Sequence, residues 1–433
     1  MEEKKNFLTE VVYPDNISKE IVGKIPVKQT DKISKGAYTL ATILLSFIRA
    51  GYKIEKFNMD DLKPPYILLS NHMQVMDIAM LFKAIYPHKV NIVTALNAYH
   101  LAPKIMQKAG CICTRKFTTN ISLIRACKKV LKEFGDVLCM YPEARYSPDG
   151  TQSTWPDTVG KLVKKSGVPL VIMLNHGNHI NTPFWTDYTY RKTPYYATLK
   201  QVLTAEQVKV MSVDEINAVI RKEITYDDFK WQKDNNIVIE HKKRAKGLNK
   251  LLYQCPNCLT EHKMNSKGTL LFCEECGKKW EMTTLGELKA LEGKTEFSHI
   301  PDWYEWEREN VRIELLEGKY HYEEEVEIVS QPNVSNFIPL GKAKVTHSLD
   351  GFVIEGYYNG HNYRIERQSK WLYGLYVEYG FNLLKGKDCF EISTEDDAFF
   401  CIPQRKDIIT KLALATEEAY KIATTLKVIT KTD

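Results

Sequence analysis

The sequence predicts an α/β domain with helices packed over a largely parallel sheet, then a small cysteine-bounded module, then a β-rich domain closed by a helix. Three observations carry this. Between about residues 65 and 183, short apolar runs alternate with longer amphipathic ones, as when strands are joined by crossover helices. Two Cys-x-x-Cys pairs punctuate residues 255–276. From Tyr320 to Pro403 many short β-like runs follow one another before a final amphipathic stretch. With 433 residues, 44% hydrophobic and 26% charged, the chain can bury several cores and does not read as disordered. A net charge of +6 is a mild excess that by itself names no partner.

Residues 1–35 read as polar and irregular, and the opening Met1-Glu2-Glu3-Lys4-Lys5 lacks the apolar core of a secretory signal. Gly36–Ile48 is the longest uncharged stretch. As a helix its 13 residues rise about 20 Å, short of a bilayer core of about 30 Å. It is therefore expected either to be buried or to lie in a membrane interface. Strands are expected at Tyr66–Ser70, Val90–Val93, Asp136–Tyr141 and Pro169–Leu174, with helices at Met76–Tyr86, Ile121–Phe134 and Asp157–Ser166. Ser212–Glu223 carries Val213, Ile216, Val219 and Ile220 on one helical face. The basic run Lys242-Lys243-Arg244-Ala245-Lys246 reads as a linker or a contact for lipid headgroups. Pro301–Leu316 reads as a helix, Val326–Val329, Phe352–Glu355 and Tyr363–Glu366 as strands, and Lys406–Leu426 as a closing helix. Seven or so strands and that helix resemble the pleckstrin-homology or GRAM architecture, with no motif behind the likeness. The domains expected are 1–245 (motifs in 66–180), 250–285 and 300–433.

Of ten cysteines, Cys255, Cys258, Cys273 and Cys276 form the two pairs, 14 residues apart. Two such knuckles supply four thiolates for a tetrahedral Zn²⁺, a closed and therefore structural site. Gly277 suits the turn after the second knuckle, and His262 is a poor fifth candidate for a filled site. The other six cysteines lie scattered, which fits a reducing compartment better than a disulfide framework.

Four short blocks carry the chemistry. Asn71-His72-x4-Asp77 follows the first expected strand. A neutral imidazole can take a proton from an alcohol while a carboxylate fixes its tautomer. On one ideal helix, residues five apart point about 140° away from each other. His72 can therefore reach Asp77 only from the strand-to-helix turn. Arg115-Lys116 ends a short β-like run, where a guanidinium fork and a point charge can hold a phosphate. Pro142-Glu143-Ala144-Arg145 follows the strand ending at Tyr141, and Val168-Pro169 opens the strand leading to Asn175-His176-Gly177-Asn178-His179. None of the four is specific alone.

Taken in order and spacing, Asn-His-x4-Asp, Gly-x4-Arg, Pro-Glu-x-Arg and Val-Pro resemble the glycerolipid acyltransferase family, over about residues 35–200. The resemblance implies a glycerol-phosphate acyltransferase-like α/β domain. It also implies transfer of a fatty acyl group from an acyl thioester, either acyl-CoA or acyl-carrier protein, to a hydroxyl of a glycerophospholipid precursor. A lysophospholipid or glycerol phosphate would be the acceptor, 1-acylglycerol-3-phosphate first among them. His72 would be the general base and Asp77 its orienting partner, with no acyl-enzyme. Arg115 and Lys116 would bind the acceptor phosphate, Glu143 the glycerol, Arg145 would add charge, and Asn71 would shape the site. One departure stands out: the family places arginine three residues after the glutamate, where this chain has Tyr146. His176 and His179, which the family's fourth block does not call for, would be structural or would support the site residues from behind. The location implied is cytoplasmic, peripheral on the inner face of the cell membrane. The rival reading is a zinc-ribbon adaptor or nucleic-acid-binding protein with a degenerate acyltransferase domain. Against it, the basic run lacks the interleaved aromatics that stack on single strands, and no recognition helix is apparent.

Overall fold

The computed structural model describes residues 7–429, except 49, 119–120, 187–189 and 406. The N-terminal reading that rests on residues 1–6 lies outside the described residues. The first sheet has seven strands. In spatial order they are Tyr52–Phe57, Tyr195–Leu203, Leu170–His176, Ile67–Ser70, Val137–Met140, Val90–Ala95 and Ile112–Thr114. From Leu170–His176 to Ile112–Thr114 all neighbours pair in parallel. Only the Leu170–His176/Tyr195–Leu203 contact is antiparallel. Parallel strands share one carboxyl edge, so the loops after Ser70, Thr114, Met140 and His176 all leave on the same side. Each of those loops carries part of the sequence's chemistry, at the edge where open α/β sheets place their ligands.

Ile67–Ser70 is buried throughout, as a central strand covered on both faces must be. The outer strand Tyr52–Phe57 carries Lys53, Glu55 and Lys56, and no apolar run announces it. The helix Asp31–Ser46 is capped by Thr30, whose hydroxyl accepts from Ile33 N at 3.3 Å. It packs on the helix Met76–Ile85 and buries Ala41 and Leu45. Leu40, Ile43, Leu44 and, just past its end, Phe47 are exposed, so it is neither simply buried nor wholly outside. Among the described residues, no helix is long and apolar enough to cross a membrane.

The cysteine module is a four-stranded antiparallel sheet in the order Leu288–Ala290, Lys279–Met282, Leu270–Cys273, Met264–Lys267. The helix Ile300–Leu316 then leads to seven antiparallel strands and the closing helix Ile408–Ile429. Their number agrees with the pleckstrin-homology or GRAM expectation, which remains a likeness of architecture. An eighth strand, Phe7–Leu8, pairs in parallel with His361–Gln368, so the first described residues lie with the last sheet. One buried apolar cluster joins the cysteine module, the C-terminal sheet and its helix to Phe117, Ile180 and Trp185 of the first sheet's loops. The first sheet's strands pack in two clusters of their own, so the common core unites the cysteine module and the C-terminal sheet and reaches the first sheet through its loops.

Candidate active site

His72 lies in the turn between the strand Ile67–Ser70 and the helix Met76–Ile85, while Asp77 lies in the helix's first turn. The geometry the spacing demanded is present: His72 Nδ1 is 3.0 Å from Asp77 Oδ2. Oδ2 also accepts the backbone N–H of Met73 at 2.7 Å and of Gln74 at 3.0 Å, and Oδ1 accepts Asn178 Nδ2 at 2.5 Å. A carboxylate with four donors cannot rotate away. With Nδ1 protonated toward Asp77, Nε2 is the nitrogen left to accept a proton. The imidazole stacks on Tyr141 with centroids 4.0 Å apart and meets Tyr146 at 4.4 Å. Ser147 N donates to His72 O at 2.8 Å, so the loop after Met140 wraps the histidine.

Asn71 is fully buried and clamps two strand ends together. Its Nδ2 donates to Asn175 O at 2.9 Å, and its Oδ1 accepts Asn175 N at 2.8 Å. Behind Asn178, Asp228 accepts Gly177 N at 3.0 Å and His179 N at 2.9 Å and fixes that turn. Burial pushes the Asp228 carboxyl up to about 7. His176 and His179 are held neutral by burial, near 4 and 3. His179 is packed between Trp185 and Phe229.

Glu143 is 1% exposed and turned inward. Its carboxyl accepts Ser153 N at 2.8 Å and the Tyr226 hydroxyl at 3.1 Å. Burial pushes it up to about 8, against the pull of those hydrogen bonds and of Arg145.

The three cations expected at an acceptor phosphate are differently placed: all are buried and face the C-terminal domain. Arg115 donates to three backbone carbonyls, those of Pro332 at 2.6 Å, Asp396 at 2.7 Å and Glu395 at 2.8 Å. Lys116 Nζ donates to Glu391 Oε2 at 3.0 Å and Asn97 Oδ1 at 2.9 Å, and lies 3.0 Å from the Tyr376 ring centroid. Arg145 pairs with Glu417 and donates to Leu375 O at 3.0 Å. The physical reason is burial: a cation enclosed by a second domain needs internal acceptors, and the C-terminal sheet and helix provide them. The basic run is also uneven, since Arg244 is buried against Glu281 while Lys242 and Lys243 are exposed.

The ligand atoms of Cys255, Cys258, Cys273 and Cys276 lie within 4.8 Å of one another and could hold a metal ion. Cys255 Sγ–Cys276 Sγ is 3.8 Å and Cys258 Sγ–Cys273 Sγ is 3.7 Å. Tetrahedral Zn–S bonds of about 2.3 Å would set sulfurs about 3.8 Å apart, so the residues fit zinc. Both knuckles close the same way, with Leu259 N on Cys255 O at 2.8 Å and Gly277 N on Cys273 O at 3.0 Å. Leu259 and Gly277 have φ of 63° and 76°, so the turn that favours glycine occurs twice and only the second has one. His262 is outside the cluster, stacked on Tyr253.

Sequence reasoning missed Asn178, Asp228, Tyr141 and the acidic residues of the C-terminal domain. Asn175 and Asn178 stood in a block noted for its histidines, which was the one available signal.

Residues 52–174 match the family model described as Acyltransferase, and the matched segment holds Asn71, His72, Asp77, Arg115, Lys116, Glu143 and Arg145. Among solved structures, the chain is similar to the 1-acyl-sn-glycerophosphate (LPA) acyltransferase PlsC from Thermotoga maritima. The identity is 15%, over 44% of this chain and 78% of that one, with a TM-score of 0.36. No curated protein matches the chain.

Proposed function

We propose that this chain is an acyltransferase that moves a fatty acyl group from an acyl thioester to a hydroxyl of a glycerolipid acceptor, with His72 as general base. The observation that carries the reading is the His72–Asp77 pair, clamped at the carboxyl edge of the sheet inside the segment that matches the acyltransferase model. His72 Nε2 takes the proton of the acceptor hydroxyl as its oxygen attacks the thioester carbonyl. The new C–O bond forms, the C–S bond breaks, and the imidazolium returns its proton to the departing thiolate. Asp77 holds the tautomer and stabilises the transient imidazolium. The donor is acyl-CoA or an acyl-carrier protein. The motif order favours 1-acylglycerol-3-phosphate as acceptor, whereas the burial of Arg115, Lys116 and Arg145 favours one without a phosphate; in this structure they support the site wall.

Two further elements belong to this reading. The four cysteines would hold a structural zinc that ties the small sheet to the common core. The exposed Leu40, Ile43, Leu44 and Phe47 would seat the protein on a bilayer surface, where its substrates are.

The test is acyl transfer by purified protein, with long-chain acyl-CoA and either lysophosphatidate or monoacylglycerol, beside His72→Ala. Wild-type turnover should fall by about 10²- to 10⁴-fold in the variant. A variant with unchanged turnover would remove His72 from the mechanism.

A further inference from the structure

The contacts of the C-terminal domain carry a consequence for the acceptor, which rests on the acyl-transfer reading above. The segment from Tyr373 to Tyr379 runs along the loops at the sheet's carboxyl edge. Tyr373 and Gly374 meet Phe117, Leu375 O takes a hydrogen bond from Arg145, and Tyr376 lies under Lys116. Tyr379 meets Phe184, Phe184 meets Tyr146, and Tyr146 meets His72. The C-terminal domain is thus one wall of the site, and the aromatic chain along it is largely apolar.

Lys116 and Arg145 have carboxylate partners within that wall. Lys116 has Glu391 at 3.0 Å, with Glu378 close behind it through the Tyr376 hydroxyl. Arg145 shares Glu417 with Arg308, whose Nη1 is 2.7 Å from Glu417 Oε2. Burial pushes the Glu417 carboxyl up, but Arg145 and Arg308 outweigh it and hold the group near 2. Arg115 spends both terminal nitrogens on three carbonyls. A phosphomonoester carries about −1.5 to −2 charges at pH 7. Brought to this wall, it would compete with buried carboxylates for Lys116 and Arg145 or remain itself unpaired, and either is unfavourable in a buried site. The domain is not a loose cover, since its core is continuous with Phe117, Ile180 and Trp185.

We infer that the acceptor offers an uncharged headgroup at this wall, a neutral hydroxyl lipid of the monoacylglycerol class, because carboxylates and carbonyls of the C-terminal domain already occupy Lys116, Arg145 and the terminal nitrogens of Arg115. The acylated product is then a neutral diacyl lipid.

The experiment gives the full-length protein one long-chain acyl-CoA and two acceptors of matched acyl chain, monoacylglycerol and lysophosphatidate, in neutral detergent micelles. The expected kcat/KM favours monoacylglycerol by about tenfold or more. Glycerol 3-phosphate, added as a competitor, should leave monoacylglycerol acylation unchanged. Preference for lysophosphatidate, or competitive inhibition by glycerol 3-phosphate, overturns the inference and leaves the acyl-transfer reading standing. Turnover of neither acceptor, with wild type as inert as His72→Ala, overturns that reading and this inference with it.

Discussion

At the residue scale, the role proposed for His72 depends on how firmly Asp77 is held. His72 and Asp77 were legible in the sequence because both belong to one strand–turn–helix unit, where spacing alone limits how they can meet. Asn178 was not legible, since it donates to Asp77 Oδ1 from 101 residues away. It is a positioning residue, fixed in turn by the Asp228 contacts to its own turn. Replacing Asn178 by Ala should leave Asp77 free to rotate and weaken its hold on Nδ1. The expected outcome is a kcat about tenfold lower with little change in KM. The acidic limb of the pH–rate profile should move as well, which a purely structural defect would not produce. An unchanged limb in a folded variant would show that Met73 N and Gln74 N suffice to hold the carboxylate.

At the scale of elements, two parts can be tested without touching the chemistry. The helix Asp31–Ser46 was legible as apolar, but its two-sided character was not, because composition does not say which stripe meets the helix Met76–Ile85. Leu40 is 59% exposed and Phe47 76%, so Leu40→Glu with Phe47→Glu should leave folding intact. Vesicle affinity measured by co-sedimentation should drop by about 100-fold or more, as two buried apolar side chains are each worth about 1.5–3 kcal/mol at a membrane surface. Equal binding by the double variant would disqualify this stripe as the membrane contact. The cysteine module makes the second case. Its pairs were plain from spacing, yet the sharing of Cys255, Cys273 and Trp280 with the C-terminal core was not. Metal analysis should find one zinc per chain. Removing it with a chelator, or by Cys258→Ser, should lower Tm for the C-terminal sheet as well as the module. A transition confined to a minor local change would mean the module folds apart. The edge strand Tyr52–Phe57 escaped the reading because its sequence mixes charge with apolar residues, and Tyr195–Leu203 because Thr198, Lys200 and Gln201 interrupt its apolar pattern.

At the scale of the whole molecule, the long-range pairings decide what the motif residues face, and no spacing rule reaches that far. Arg115 meets Pro332 and Asp396 across 217 and 281 residues. A motif can state that these positions are cationic, but not that a third domain will cover them. Buried ionisable groups also create a pH dependence of stability. Burial raises Glu143 to about 8 and Asp228 and Glu378 to about 7. In the unfolded chain such groups titrate near 4. The folded protein therefore holds extra protons above pH 4. Their contribution is fully present below that value and is lost as pH rises through 7 to 8. Buried histidines act in the opposite sense. His176 is lowered to about 4, and His179 and His347 to about 3, so their contribution is present above pH 6.5 and lost as pH falls toward 3. The two sets offset each other between about pH 4 and 6.5, so stability is level there, and Tm declines between 6.5 and 8.5. Glu143→Gln removes one proton from this balance without a change of shape. It should flatten the decline by an amount on the order of 1–2 kcal/mol across that range. Melting curves at matched ionic strength measure this directly. A Tm that rises between pH 6.5 and 8.5, or a variant whose slope matches wild type, would mean that Glu143 is ionised in the folded protein and that the attraction of Arg145 outweighs its burial.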